Sequence, residues 1–253
     1  MKRLDDQRVI LTGAAGGIGS LVAKRLASLG AHLIGVDQVD CPNCAETILA
    51  DLSTKEGLTE LAETLSTQRV DMLINIAGIQ YFGPFEHQSF ENLWLGYAVN
   101  LIAPAALSRA VLPQMQARGA GQIVNIGSML GAVKYPFFAS YSSSKAGLQG
   151  LSEGLRRELF ASGIAITYIA PRAARTAFNN PAVVRFMELT KMKADEPDFV
   201  ADRIVAAITD RKKEVFIGFQ ERIFMRLNAI FPRLIDAGIS SQAAKARHFF
   251  TAA

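Results

Sequence analysis

The chain has 253 residues, of which half are apolar and 20% are charged, and its mean hydropathy is +0.19. This composition excludes a disordered chain, and two cysteines exclude a disulfide framework. No run approaches the roughly 20 apolar residues of a membrane-spanning helix. The first residues show no apolar secretory signal, so the expected location is cytoplasmic.

The net charge of +4 is distributed unevenly along the chain. Residues 1–210 contain 19 basic and 20 acidic side chains, whereas residues 211–253 contain 8 and 3. A nucleic-acid-binding protein should present a basic face across its fold, so no nucleic-acid partner is expected. A basic and apolar tail points instead to peripheral contact with a membrane surface, or to a protein partner.

Short apolar runs alternate with amphipathic stretches of helix length in chain order. Strands are predicted over residues 8–11, 32–36, 71–76, 122–126, 164–169 and 214–219. Helices are predicted over residues 19–29, 54–66, about 88–117, 141–162 and 198–209. This alternation predicts the α/β class, with a doubly wound Rossmann-type parallel sheet whose ligands bind beyond the carboxyl ends of the strands.

Residues 1–219 are expected to form one dinucleotide-binding and catalytic domain, followed by an amphipathic, basic extension over 220–253. The extension has apolar residues at near-helical spacing, accompanied by arginines: Ile223, Leu227, Ile230, Phe231, Leu234 and Ile235, with Arg222, Arg226 and Arg233. It fits an interfacial membrane helix, a flap over an apolar substrate, a dimer contact or a helix packed on its own core. Pro232 is expected to kink or divide it, and Phe249 and Phe250 to anchor it.

A glycine-rich turn, residues 12–19, joins the first predicted strand to the first predicted helix. Its glycines permit a tight turn and the close approach of a pyrophosphate, while the helix N-terminus supplies free N–H groups and a positive dipole. Between a strand and a helix, such a turn favours a dinucleotide. The residues expected to contact it here are Gly13, Ala15, Gly16, Gly17, Ile18 and Gly19.

Asp37 ends the second predicted strand, about 20 residues after the turn. A carboxylate there accepts hydrogen bonds from the ribose hydroxyls and repels a 2′-phosphate. Gln38 follows it, and the glycine-rich turn supplies no compensating cation, so NAD is favoured over NADP. Asp51, next to Leu52, is expected to accept from the adenine amino group.

Three polar side chains follow in an order that suits acid–base chemistry. Ser128 stands just past the strand that ends at Ile126, and Tyr141 and Lys145 share one helix face at a spacing of four residues. A free phenol has a pKa near 10, too high for a base at neutral pH, and a neighbouring ammonium lowers it. Taken with the turn and Asp37, the set is highly specific.

These residues resemble the short-chain dehydrogenase/reductase family over nearly the whole chain to about Phe219. The family pattern TGxxxGxG is matched by Thr12, Gly13, Gly17 and Gly19, and the pattern NxAG by Asn75, Ala77 and Gly78. The helix asparagine of the family is matched by Asn100, and its serine and YxxxK by Ser128, Tyr141 and Lys145. Its later proline and threonine are matched by Pro171 and Thr176. The resemblance implies that the cofactor also contacts Asn75, Ala77, Gly78, Tyr141, Lys145, Pro171, Arg172 and Thr176. It further implies a homodimer or homotetramer through the helices that hold Asn100 and Tyr141.

The resemblance also implies a mechanism. Tyr141 would be the general acid/base, Ser128 would orient the substrate oxygen, and Lys145 would hold the nicotinamide ribose and lower the phenol pKa. Asn100 would hold a water in a proton relay. Hydride would pass between the cofactor and the substrate carbonyl carbon.

One departure from the family lies beside the expected nicotinamide site. The family has Pro-Gly after the sixth strand, whereas this chain has Pro171-Arg172. Arg172 and Arg175 would meet an acidic substrate group or a cofactor phosphate, or point to solvent. A mild second departure is Ile76, where a second asparagine is common.

The expected substrate is an apolar secondary alcohol or ketone, steroid-like or long-chain. The expected wall is rich in aromatic and sulfur-containing side chains: Ile79, Tyr81, Phe82, Met129, Phe137, Phe138, Phe178 and Met187. Residues 176–197 show no clear helix or strand pattern, which favours a lid over the binding edge, with a surface helix and turn as the alternative.

The expected function is therefore hydride transfer between NAD(H) and this substrate. The alternatives are an NADPH-dependent carbonyl reductase that uses Arg172 or Lys24, and a non-catalytic dinucleotide-binding sensor or scaffold. The pair Cys41 and Cys44 is interpreted as an incidental loop feature, and no metal site is expected.

Overall fold

The computed structural model describes residues 2–231 and, beyond them, residues 233, 235, 236, 238–240, 244, 247 and 250. Seven parallel strands form one sheet in the order β3-β2-β1-β4-β5-β6-β7. The strands are β1 Arg8–Thr12, β2 His32–Asp37, β3 Glu46–Leu49, β4 Met72–Asn75, β5 Gly121–Ile126, β6 Ile164–Ala170 and β7 Glu214–Phe216. The chain reverses its direction of travel across the sheet between β1 and β4, the place where ligands bind in such folds.

Helices cover both faces of the sheet, as the buried apolar strands require. They are α1 Gly17–Ser28, α2 Lys55–Thr67, α3 Phe90–Tyr97, α4 Ala103–Arg118, α5 Met129–Ala132, α6 Ala139–Glu158, α7 Pro181–Leu189, α8 Pro197–Thr209 and α9 Phe219–Ile230. Helices α1 and α8 pack together over one face, where Val22, Leu26 and Ile204 enter the core. Helices α2 and α4 pack over the other, with Leu61 and Leu107 buried. The predicted Rossmann-type architecture is confirmed.

The structure corrects three predictions about the secondary structure. Strand β3 was not predicted, because it is an exposed edge strand without a continuous apolar run. The last strand ends at Phe216 rather than Phe219, since Gly218 has a φ of 125° and begins α9. Residues 176–197 are not irregular throughout, because Asn180 caps α7 through a hydrogen bond from the Val183 N–H at 2.9 Å.

One helical stretch in the described part of the chain, Phe90–Arg118, is long and apolar enough by composition to span a membrane, contrary to the expectation from the sequence. Its apolar character has a local cause, because Ala103, Leu107, Val111 and Met115 are buried against the sheet and α2. Composition alone is therefore weak evidence for a span.

The C-terminal extension is only partly described. Helix α9 confirms a helix after the last strand, whereas Pro232, Leu234 and Phe249 lie outside the described residues. Phe250, which is described, packs against Phe82 and Phe137 with ring centroids 5.3 and 4.8 Å apart. The division of the chain at residue 219 stays a prediction.

Candidate active site

A cleft of about 890 Å³ opens at the carboxyl ends of the strands. The segments that follow β1, β2, β3, β4, β5 and β6 all contribute to its wall. Of the residues predicted to bind the cofactor, all but Asn75 line this cleft. Asn75 is instead buried in the sheet, where its Nδ2 donates to Asn125 Oδ1 at 2.8 Å.

The glycine-rich turn is shaped by contacts that leave no room for side chains. A Cβ at Gly13, whose φ is 68°, would lie 2.7 Å from the Cα of Ala77, and one at Gly19 would lie 1.9 Å from the Gly13 carbonyl oxygen. Gly16 caps α1 without a side-chain hydrogen bond, so no side-chain cap at this position competes with a ligand for the N–H groups of the first turn. This backbone cradle fits the pyrophosphate of a dinucleotide.

Asp37, at the end of β2, is hydrogen-bonded to the glycine-rich turn. Its Oδ2 accepts from the Ala15 N–H at 3.0 Å and its Oδ1 from the Gln38 N–H at 2.8 Å. The carboxylate thus orients the glycine-rich turn and keeps further lone pairs for a ligand hydroxyl. Among the described residues, those that line this part of the cleft lie within 13–19, 36–39 and 50–53 and include no lysine or arginine.

Asp51 is also fixed by local hydrogen bonds. Its Oδ1 accepts from the N–H and the hydroxyl of Ser53 at 2.8 and 2.6 Å, and these bonds lower the pKa of the carboxyl. Asp51 therefore stays ionised as an acceptor at the adenosine end, which suits the predicted contact with an adenine amino group.

Tyr141, on α6, reaches the middle of the cleft beside Ser128, which caps α5. The Ser128 Oγ accepts from the Leu130 N–H at 3.1 Å. Burial raises the pKa of Tyr141 to about 12, and the hydrogen bond with Ser128 acts in the opposite direction. The protein residues alone therefore hold a neutral phenol. The lowering of its pKa by Lys145 stays a prediction.

Lys145 is buried one helical turn from Tyr141. Its Nζ donates to the Ile126 carbonyl at 3.0 Å, and burial lowers the pKa of the ammonium to about 8. A Cβ at Gly78 would lie 3.4 Å from this Nζ. The two side chains at positions 141 and 145 thus share one helix face, as their spacing predicts.

Asn100 acts as a structural bridge. It lies in a π-helical stretch, Ala98–Ile102, between α3 and α4. Its Oδ1 accepts from the Ile79 N–H at 3.0 Å, while its Nδ2 donates to the Ile79 carbonyl at 2.8 Å and to Ser144 Oγ at 3.1 Å. Both Nδ2 hydrogens and one lone pair of Oδ1 thus have protein partners, and Asn100 does not line the cleft. Its hold on a relay water stays a prediction.

The substrate end of the cleft is apolar. Met129 and Phe178 line it as predicted, and the Phe178 ring lies 6.2 Å from that of Tyr141. Phe137 does not line it; it has a φ of 67° and packs with Phe186 and other rings beside the cleft. Other lining residues have no sequence motif and come together only in the fold, among them Leu95, Val99, Leu130, Val133, Tyr135, Val183 and Phe224.

Arg172 lines the cleft but is committed to an ion pair. Its Nε donates to Asp195 Oδ2 at 2.8 Å, and a second guanidinium nitrogen contacts Oδ1 of the same carboxylate. In addition, the Asp195 N–H donates to the Ala173 carbonyl at 2.8 Å. The ion pair and this backbone hydrogen bond together hold the two ends of the segment that carries α7. Arg175 points outward and pairs with Glu196 at 2.8 Å.

Cys41 and Cys44 are free thiols in the loop after β2. Burial raises the pKa of Cys44 to about 11, so the thiol is protonated at neutral pH. Within the described residues, no group of three or more His, Cys, Asp and Glu side chains is arranged to hold a metal ion.

The comparisons with known proteins agree with this geometry. The family model described as short chain dehydrogenase matches residues 7–184. Dehydrogenase/reductase SDR family member 7B of Danio rerio is 31% identical over 271 aligned positions, covering 96% of this chain and 87% of that protein.

Two solved structures are similar across their length. A short-chain dehydrogenase from Sphingobium yanoikuyae, in complex with NADPH, has a TM-score of 0.77 and 28% identity, covering 91% of this chain and 95% of that one. A 4-hydroxyisoleucine dehydrogenase complexed with NADH has a TM-score of 0.73 and 27% identity, covering 84% and 96%. With its glycine-rich cradle and its buried tyrosine and lysine, the chain belongs to the short-chain dehydrogenase/reductase family and is an NAD(P)-dependent oxidoreductase.

Proposed function

We propose that this protein transfers hydride between NAD(H) and an apolar secondary alcohol or ketone, of steroid-like or long-chain type. The observation that carries the proposal is the position of Tyr141, between a backbone cradle that fits a dinucleotide and an apolar cavity. When bound, the nicotinamide supplies or accepts the hydride. The cradle glycines, Asp37 and Lys145 would hold the dinucleotide.

Tyr141 and Ser128 act on the substrate oxygen. With its pKa raised to about 12, the Tyr141 phenol is protonated at neutral pH and can donate its proton to a carbonyl oxygen. The Ser128 hydroxyl donates to the same oxygen and fixes its position. In the oxidative direction, Tyr141 would have to be a phenolate in order to accept the alcohol proton, and a positive charge on Lys145 favours that phenolate.

The preference for NAD over NADP rests on charge. Asp37 would meet a 2′-phosphate with a second negative charge, and the described lining residues around it include no lysine or arginine. Arg172, one of the two cations considered for an NADP-dependent reductase, already pairs with Asp195. An NADPH-dependent reductase is therefore the weaker alternative.

The preference for an apolar substrate rests on the lining of the cavity. Met129, Phe138, Phe178, Val183 and Met187 surround the space beside Tyr141. Such a wall favours substrates that exchange water for apolar contacts around the reacting carbon.

Assembly and location are proposals as well. Phe90, Trp94 and Ile102 are more than half exposed on the stretch that contains Asn100. A homodimer or homotetramer through α3, α4 and α6 would cover them. Such an oligomer would act in the cytoplasm.

The test is the variant Tyr141→Phe, assayed with a panel of lipophilic alcohols and ketones. We expect turnover to fall by roughly three orders of magnitude or more, with dinucleotide affinity retained, because only the phenolic oxygen is removed. Tyr97→Phe is the matched control, since Tyr97 hydrogen-bonds Ser143 on the protein surface. Turnover by Tyr141→Phe near the wild-type rate would refute the proposed role, and no turnover of any panel member by the wild type would refute the substrate class.

A further inference from the structure

Most of the described side chains of helix α9 are exposed to solvent rather than packed against the rest of the protein. Among its described side chains, only Met225 and Asn228 are partly buried, and Met225 packs against Met129 and Tyr168. The side chains of Ile223, Leu227 and Ile230 are 47%, 42% and 67% exposed. An amphipathic helix normally buries its apolar stripe, whereas these apolar side chains of α9 are exposed.

The exposed side of α9 has a defined order around the helix axis. At 100° per residue, Ile223, Leu227 and Ile230 fall on one stripe, and Arg222 and Arg226 follow along one edge of it. The packed residues Met225 and Asn228 lie on the far side. We name these five residues, Arg222, Ile223, Arg226, Leu227 and Ile230, the α9 surface.

A second element at the cleft has similar chemistry. On α7, Val184 and Leu189 are exposed beside Arg185, and the exposed Lys191 and Lys193 follow. Both helices border one cleft, because Val183 and Met187 of α7 and Phe224 of α9 line it. The mouth of the cleft is therefore flanked by apolar and cationic side chains together.

We propose that the α9 surface docks on an anionic lipid bilayer. In such a contact the apolar stripe enters the boundary between head groups and acyl chains, while the guanidinium groups remain at the level of the lipid phosphates. The charge distribution supports this occupant, because the last 43 residues hold 8 of the 27 basic side chains but 3 of the 23 acidic ones. Clustered basic residues are attracted to an anionic leaflet.

A second copy of the chain is a poorer match for this surface. A two-fold contact centred on the stripe would bring Arg226 close to its symmetry copy and leave two like charges together. The apolar residues Phe90, Trp94 and Ile102 offer a separate face for self-association without arginines among them.

Docking would have a consequence for substrate access. Phe224 belongs to both α9 and the cleft lining, so a bilayer against α9 would lie next to the mouth of the cleft. Under the proposed function, a lipophilic substrate would then enter from the bilayer rather than from water. This consequence rests on the proposed function, whereas docking itself does not.

The test is co-sedimentation of the full chain with vesicles of phosphatidylcholine alone or mixed with phosphatidylglycerol. We expect the wild type to bind the mixed vesicles, to bind phosphatidylcholine weakly, and to be released by salt. Arg226→Glu and Leu227→Ser should each weaken binding by roughly fivefold or more. Arg203→Glu on α8 and Leu49→Ser on β3 change exposed residues of the same types and should leave binding unchanged.

Three results would overturn the proposal. The wild type could fail to bind the anionic vesicles, or the α9 variants could bind as tightly as their controls. Alternatively, Leu227→Ser could dissociate an oligomer in sedimentation velocity, which would make the α9 surface a contact between copies. Because no readout depends on turnover, a failed docking test and a failed proposed function are separate outcomes.

Discussion

The two ends of the cleft are built in different ways. At the dinucleotide end, the wall is formed by backbone and small side chains immediately after the strands, as at Gly13, Gly19 and Gly78. At the substrate end, it is formed by large apolar side chains from distant segments, such as Leu95, Phe178 and Phe224. The first end depends on local turn geometry and the second on tertiary packing.

This difference explains what the sequence could predict. The glycine-rich turn and Asp37 lie at the ends of neighbouring strands, so the topology of the sheet brings them together. Tyr141 and Lys145 lie on one helix face because they are four residues apart. The parallel sheet followed from its continuous apolar strands in the same way.

The remaining features have no local signal. Phe137 is an aromatic residue close to the cleft in sequence, yet its backbone conformation turns it into a neighbouring aromatic cluster. The partner of Arg172 lies 23 residues away in the chain, beyond α7, and no local sequence pattern pairs the two residues. The edge strand β3 lacks the apolar run that reveals a central strand.

The largest effect is expected from adding a side chain at the dinucleotide end. Gly19→Val would place a Cβ within 1.9 Å of the Gly13 carbonyl oxygen, so the cradle must open. We expect dinucleotide affinity to fall by roughly 100-fold or more, about 2.7 kcal/mol or more. Titration calorimetry measures it, with circular dichroism to confirm that the chain folds.

Gly150→Ala is the matched control for that substitution. Gly150 lies within α6, and a Cβ there meets nothing within 4 Å. Because alanine is the better helix former, we expect the free energy of unfolding to rise by roughly 0.5 to 1 kcal/mol with affinity unchanged. Equal losses of affinity in both variants would contradict the cradle geometry.

A smaller effect is expected at the substrate end from Arg172→Ala. The variant leaves the buried carboxylate of Asp195 without its ion pair and releases the ends of the α7 segment. We expect a loss of roughly 1 to 3 kcal/mol in unfolding free energy and a higher KM for substrate, with dinucleotide affinity nearly intact.

Arg175→Ala provides the comparison for Arg172. Its pair with Glu196 is exposed on both sides, so its loss should change the unfolding free energy by less than about 1 kcal/mol. Urea denaturation of both variants measures the unfolding free energy, and steady-state kinetics measures the KM for substrate. If Arg172→Ala were as mild as Arg175→Ala, the ion pair would not fasten the segment.

A further prediction concerns the dependence of stability on pH. The pKa of Lys145 is lowered to about 8 in the fold, against an ordinary value of 10.5, so the unfolded chain binds more protons between these pH values. The contribution of Lys145 to stability therefore rises with pH across this window, by roughly 1 to 3 kcal/mol. Lys145→Met should remove that rise in urea denaturation between pH 8 and 10, and a variant with an unchanged profile would refute the assignment.

The most direct test of NAD dependence is a fluorescence titration of the wild type and Asp37→Ser with NADH and with NADPH. We expect the wild type to bind NADH more tightly than NADPH, and Asp37→Ser to reduce or reverse that ratio, because the charge facing the 2′-position is removed. Tighter binding of NADPH by the wild type would contradict the assignment of Asp37 as the residue that selects the cofactor.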